Sequence, residues 1–374
     1  MAFLIQLATM IKKLLVVITL FVAAPAAFLL YSPETEYQNL LPDTIQQAVA
    51  PDYESIPLTT QVGQLFAVGH WVNIEASTTA ARVRDLQLGS VIIMSAPDNE
   101  SAVSDWADSW QEVANIPLII SIDQEGGVVS RLRSGNHTQV AQSEITVETT
   151  AYEVANKRAV VLQTLGINAN YAPVMDRSIS PDAFMYPRVF RDPTMIAPLA
   201  DAMVRGYQDN GVVAVPKHFP GHPDTSDDSH ITLPRLDLTV VEYAEHTQQF
   251  ADIVETGNVE MLMTAHVLVP ALDPSFPATV SPIVIRDLRE RIGYDGVVIT
   301  DDLAMQAISD RWSYEESAVM ALAAGVDMVM LAAEPEHASS TVQAVIEAVE
   351  QGELPRERVF EAYSRVMRVK ESLE

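Results

Sequence analysis

The sequence predicts an α/β protein built as a single (β/α)8 TIM barrel behind a separate N-terminal apolar segment. Three observations predict it. Short apolar runs recur eight times, amphipathic stretches lie between them, and five consecutive runs end in ionisable residues.

The runs are Leu65–Gly69, Ser90–Met94, Leu118–Ile122, Asn168–Val174, Val212–Val215, Met261–Thr264, Val297–Thr300 and Met328–Leu331. Each is short and continuously apolar, as expected of a parallel strand covered on both faces. Amphipathic stretches such as Thr149–Leu165, Met195–Asp209, Ile283–Arg291 and Tyr314–Ala324 read as the intervening helices. Gly166, Gly211 and Gly325 follow three of them, the position at which glycine ends a helix. A doubly wound open sheet is the rival, but the first strand is not followed by a glycine-rich phosphate turn.

The first residues form a different unit. Lys12 and Lys13 precede an uncharged apolar run at 14–31, and no Lys or Arg follows until Arg82. At about 1.5 Å per residue the run nearly matches a hydrocarbon core of roughly 30 Å. The positive-inside rule puts the N-terminus in the cytoplasm and the remainder on the exported, periplasmic side. Ala24-Pro25-Ala26 resembles a signal-peptidase site, so 1–31 reads as a cleaved signal peptide or as an anchor. The apolar run continues past that site, which favours an inner-membrane anchor. Residues 32–57, with Pro33, Pro42, Pro51 and Pro57, read as a stem, and 58–374 as the barrel.

Composition removes whole classes of function. Lys and Arg number 23 against 50 Asp and Glu, a net charge of −27 that repels nucleic acid and anionic lipid headgroups. The chain has no cysteine, which excludes disulfides, thiol nucleophiles and thiolate metal sites. Composition sets no oligomeric state.

Barrel enzymes carry their chemistry at the C-terminal ends of the strands. Here strand 3 ends in Asp123-Gln124-Glu125-Gly126-Gly127, strand 4 in Pro173-Val174-Met175-Asp176, strand 5 in Lys217-His218, strand 6 in Ala265-His266 and strand 7 in Thr300-Asp301-Asp302. Any one could be a structural ion pair; five on one rim point to an active site. No Ser sits in a Gly-x-Ser-x-Gly turn, which argues against acyl transfer. Two chemistries stay open: metal-assisted hydrolysis through His and Asp ligands, and glycoside cleavage by a carboxylate and a proton donor. The chain has no His-x-His or His-Glu-x-x-His pair, and Lys217 beside His218 repels a divalent ion, so the residues favour the glycosidase and no metal.

These motifs resemble glycoside hydrolase family 3, specifically its single-barrel bacterial β-N-acetylglucosaminidases. The likeness runs through Asp123–Gly127, Ala172–Asp176, Lys217–Pro234, Met263–His266 and Gly296–Leu303. Its most specific part is Lys217–Gly221 followed by Asp228-Ser229-His230. The resemblance implies a retaining β-N-acetylhexosaminidase without cofactor. Asp301 is then the nucleophile, His230 the acid/base and Asp228 the carboxylate that steers it. Imidazole, with an ordinary pKa of about 6.5, suits donation followed by acceptance near neutrality. The resemblance likewise implies that Asp123, Arg131, Arg188, Lys217 and His218 hold the sugar; for Arg188 a structural salt bridge is an equal reading. The expected substrates are amino-sugar oligosaccharides, either peptidoglycan fragments or chitooligosaccharides, with phosphorolysis as the alternative to hydrolysis. The chain departs from the family pattern at Val128, where Arg is common, at Thr300, where Ser is usual, and at Pro223 and the acidic run after it. The extra domains that give family 3 β-glucosidases a Glu acid/base are not expected, in keeping with the His-using branch.

Overall fold

The computed structural model describes residues 55–133, 139–225 and 228–373. The expected signal or anchor and nearly all of the stem therefore lie outside the described residues. Among those described, no helix is long and apolar enough to cross a membrane.

Eight parallel strands form one sheet: β1 Phe66–His70, β2 Ser90–Ile93, β3 Ile119–Ile122, β4 Ala169–Asn170, β5 Val213–Ala214, β6 Met261–Met263, β7 Val297–Asp302 and β8 Met328–Leu331. Their spatial order is β5-β4-β3-β2-β1-β8-β7-β6, so chain neighbours pair throughout and β1 pairs with β8. Irregular backbone after β5 completes the ring. The Phe219 N–H donates to the Met263 carbonyl at 2.8 Å, and the Met263 N–H donates to that of Pro216 at 3.0 Å. Phe219 also pairs with Thr264 in parallel register. The expected barrel is what forms.

Every residue of β1, β2, β3 and β8 is buried, because helices cover a parallel sheet on its outer side while side chains fill the barrel. The helices match the expected spans closely: Glu148–Thr164, Ile196–Gln208, Pro282–Glu290 and Tyr314–Ala324. Local chemistry explains several ends. Ser313 and Glu316 form a reciprocal capping box before Tyr314, and Gly325 leaves that helix at φ 110°. At the opposite end of the barrel from the site, Asp327 accepts from Arg289 at 2.5 Å, Arg358 at 2.7 Å and Arg365 at 3.2 Å. These contacts tie the start of β8 to two helices.

Strand 4 departs from expectation. A strand over Asn168–Val174 was expected, yet regular pairing stops at Asn170. Pro173 has no N–H for a ladder, and the Asn170 side chain turns to the Gln124 backbone, accepting at 2.9 Å and donating at 3.0 Å. Beyond that point the contact is irregular: the Val215 N–H donates to the Ala172 carbonyl at 3.1 Å, the Lys217 N–H to the Pro173 carbonyl at 3.0 Å, and Val174 bridges Lys217.

Candidate active site

The rim begins at the turn after β3. Gly126 and Gly127 take φ values of 87° and 63°, and a Cβ on Gly126 would lie 2.2 Å from the Val140 carbonyl oxygen. Only glycine allows this reversal, which sets Asp123 and Glu125 side by side at the strand end.

Lys217, from the segment after β5, enters between them. Its Nζ lies 2.6 Å from Asp123 Oδ1 and 2.6 Å from Glu125 Oε1, with its side chain 2% exposed. Arg188 grips Glu125 with two bonds, Nη2 to Oε1 at 2.7 Å and Nε to Oε2 at 3.0 Å. Arg131 Nη2 reaches Asp123 Oδ2 at 3.3 Å. Burial would raise the pKa of both carboxylates, but the facing cations outweigh it and hold both below the ordinary range. For Lys217 burial acts downward, and Asp123 with Glu125 more than reverses it.

His218 joins this cluster through Asp176 at the end of the strand-4 segment. Its Nδ1 is 2.7 Å from Asp176 Oδ2, so Nδ1–H donates and Nε2 turns toward Arg188 Nη2 at 3.5 Å. The other Asp176 oxygen accepts the His222 N–H at 2.7 Å. Asp176, His218 and His222 bring ligand-type atoms within 4.8 Å of one another. Hydrogen bonding accounts for both Asp176 oxygens there, and the neighbouring guanidinium opposes a cation.

Asp301 and Asp302 end β7 with opposite environments. Asp301 is half-buried, and its Oδ1 accepts the Asp302 N–H at 2.8 Å. Burial would raise its pKa, yet His218, His266 and that N–H together draw it below the ordinary value. Asp302 is buried and accepts from the backbone N–H groups of Ala304, Ala332 and Ala333 at 2.8–3.1 Å. Burial dominates there and pushes it up to about 6. Asp302 thus ties β7 to the segment after β8. His266 is also committed: its Nε2 meets the Asp302 carbonyl at 2.9 Å and its Nδ1 the Thr279 hydroxyl at 2.8 Å.

His230 and Asp228 stand apart on the loop after β5. His230 Nδ1 lies 2.7 Å from Asp228 Oδ1, and the His230 N–H donates to the same oxygen at 2.9 Å. Since a carboxylate only accepts, Nδ1 carries the proton and Nε2 is the outward nitrogen. The imidazole is 60% exposed. A cleft of about 360 Å³ opens beside Arg131, lined among others by Trp71, Met94 and Arg133.

The structure therefore gathers Asp123, Arg131, Arg188, Lys217 and His218 into one contact network. His230 and Asp228 form a separate pair. Arg188 realises its structural salt bridge, to Glu125, and also approaches His218. Glu125 and Asp176 stand in the strand-end motifs of the expected rim, but no role was expected of either. Their signal was position; their partners were not visible locally.

The fold and this rim define a (β/α)8-barrel enzyme with its polar groups at the carboxyl ends of the strands. The N-terminal domain of glycosyl hydrolase family 3 matches residues 57–369, and the chain belongs to that family. β-Hexosaminidase LpqI of Mycobacterium tuberculosis is 34% identical over 329 residues, 83% of this chain and 82% of its own. β-Hexosaminidase A of Pseudoalteromonas piscicida is 33% identical over 294 residues, 70% of this chain but 49% of its own. A solved family 3 β-N-acetylglucosaminidase from a Paenibacillus species superposes with a TM-score of 0.79 at 35% identity, covering 85% of this chain and 63% of that one. The chain thus spans about half the length of the Pseudoalteromonas relative.

Proposed function

We propose that the chain is a retaining β-N-acetylhexosaminidase releasing terminal β-linked N-acetylglucosamine from amino-sugar oligosaccharides. One observation carries the reading: Asp301 at the end of β7 is held below the ordinary carboxylate range, while the loop after β5 carries an exposed imidazole fixed by a carboxylate. Asp301 attacks the anomeric carbon while His230 Nε2–H protonates the departing oxygen, giving a glycosyl-Asp301 ester. His230 then takes a proton from water, which attacks the same carbon and frees Asp301. Asp228 stabilises the imidazole while it carries both protons. Asp123, Arg131, Arg188, Lys217 and His218 bind the sugar's hydroxyls and N-acetyl group. The mutual ion pairs of these residues keep them rigid before substrate arrives.

Water is the acceptor in this reading. The net charge of −27, with Asp224 and Asp228 on the His230 loop, disfavours drawing in phosphate. The apolar run at 14–31 supports an exported, membrane-held enzyme.

The test is Asp301→Asn, with folding checked by circular dichroism. Turnover of an aryl β-N-acetylglucosaminide should fall on the order of 10³-fold or more. Near-normal activity in the folded variant would refute the assignment. Parallel incubations with chitobiose and with a GlcNAc-anhydromuropeptide, each with and without phosphate, identify substrate and acceptor. Sugar-1-phosphate as the main product would make the enzyme a phosphorylase.

A further inference from the structure

The loop carrying His230 is fastened at three places, and one of them has no part in the chemistry assigned so far. At its start, His218 and the His222 N–H hold Asp176. Near its end, Ser229 is buried and its carbonyl accepts the Ala307 N–H at 3.4 Å, which joins it to the segment after β7. Between them, Asp224 reaches across to the loop after strand 4. Its carboxylate accepts the Ser178 hydroxyl at 2.8 Å, the Ile179 N–H at 3.2 Å and the Ser180 N–H at 3.1 Å. Next to it the Thr225 carbonyl accepts the Phe184 N–H at 2.9 Å. Phe184 in turn packs on Val174, Met185 and Val189, and presents its ring edge-on to His230 at 5.9 Å and to His222 at 6.4 Å.

We propose that Asp224 is a positioning residue: it locks the His230 loop onto the segment 178–184, so that Phe184 sets the place of the His230 imidazole in the barrel mouth. The physical need is clear from exposure. His230 is 60% exposed, and the side-chain bond to Asp228 that orients it lies on the same loop. That bond fixes the ring relative to the loop, but only contacts to other segments fix the loop relative to Asp301. A carboxylate suits this latch because it accepts several N–H and O–H donors at once, where a neutral side chain would leave some unmet.

This inference rests on His230 being the acid/base, and its test separates the two ideas. Asp224→Ala, Asp224→Asn and His230→Ala are compared with the parent on chitobiose and on methylumbelliferyl and 2,4-dinitrophenyl β-N-acetylglucosaminides. Loss of a well-placed proton donor slows poor leaving groups and spares the dinitrophenyl one, which departs without protonation. Asp224→Ala should lower kcat/KM on chitobiose by about 10- to 100-fold, within the span of general acid catalysis. It should leave the dinitrophenyl substrate nearly unchanged, with Asp224→Asn falling between it and the parent. A uniform loss on all three substrates, or no loss on any, overturns the positioning role. If His230→Ala itself shows no dependence on the leaving group, the acid/base assignment fails and this inference fails with it.

Discussion

Lys217 and Glu125 meet at 2.6 Å with each side chain 2% exposed, an ion pair that joins the ends of two strand segments across the barrel mouth. Glu125 also carries Arg188, so one carboxylate holds two cations. Breaking such a pair on one side leaves a buried charge without its partner, which generally costs more than the pair itself contributes.

Glu125→Gln should therefore lower stability by about 3 kcal/mol and raise KM through Lys217 and Arg188. Denaturant midpoints and steady-state kinetics would measure both. Adding Lys217→Met should return part of the stability but not the activity. A single variant as stable as the parent would show that the pair is not structurally coupled.

Lys370 gives a pH dependence. Its ammonium is 2% exposed, donates to Gln64 Oε1 at 2.6 Å, and burial pulls its pKa down to about 7 from 10.5. Between those values the unfolded chain binds a proton that the folded chain does not, so stability rises with pH over that range. Below about 7 the penalty is fully present. Lys370→Met should stabilise the neutral-pH protein by a few kcal/mol, on the order of the linkage value, and flatten the rise. Unfolding midpoints at several pH values test this; a destabilised variant would contradict it.

Prolonged chelation should leave activity intact. Asp176 is engaged by His218 and His222, and Arg188 lies beside that cluster. A loss reversed by zinc or manganese would assign Asp176, His218 and His222 to a metal instead.

Full-length protein should stay with membranes after a salt wash, since a run of apolar residues holds through hydrophobic transfer rather than charge. Recovery as soluble periplasmic protein would mean that the segment is removed.

Where expectation and structure part, the cause is contact between distant residues. Strand 4 reads as longer because Tyr171–Val174 is apolar, yet an Asn side chain and a proline end its regular ladder, and only irregular backbone bonds continue beyond Asn170. Glu125 went unmarked because Arg188 lies 63 residues away.

By itself, the sequence determined the eight-strand alternation, the helix from Tyr314 to Ala324, and the placing of Asp123, Lys217, His218 and Asp301 at strand ends. Those features follow from hydrophobic period and strand length, which are local properties of the chain. Only the tertiary structure decided that Lys217 reaches Asp123 across 94 residues, that Asp224 clasps Ser178, and that His218 turns one nitrogen to Asp176 and the other to Arg188. Such pairings depend on how the closed barrel brings separate strand ends together, and periodicity in one segment carries no record of the segment it will face.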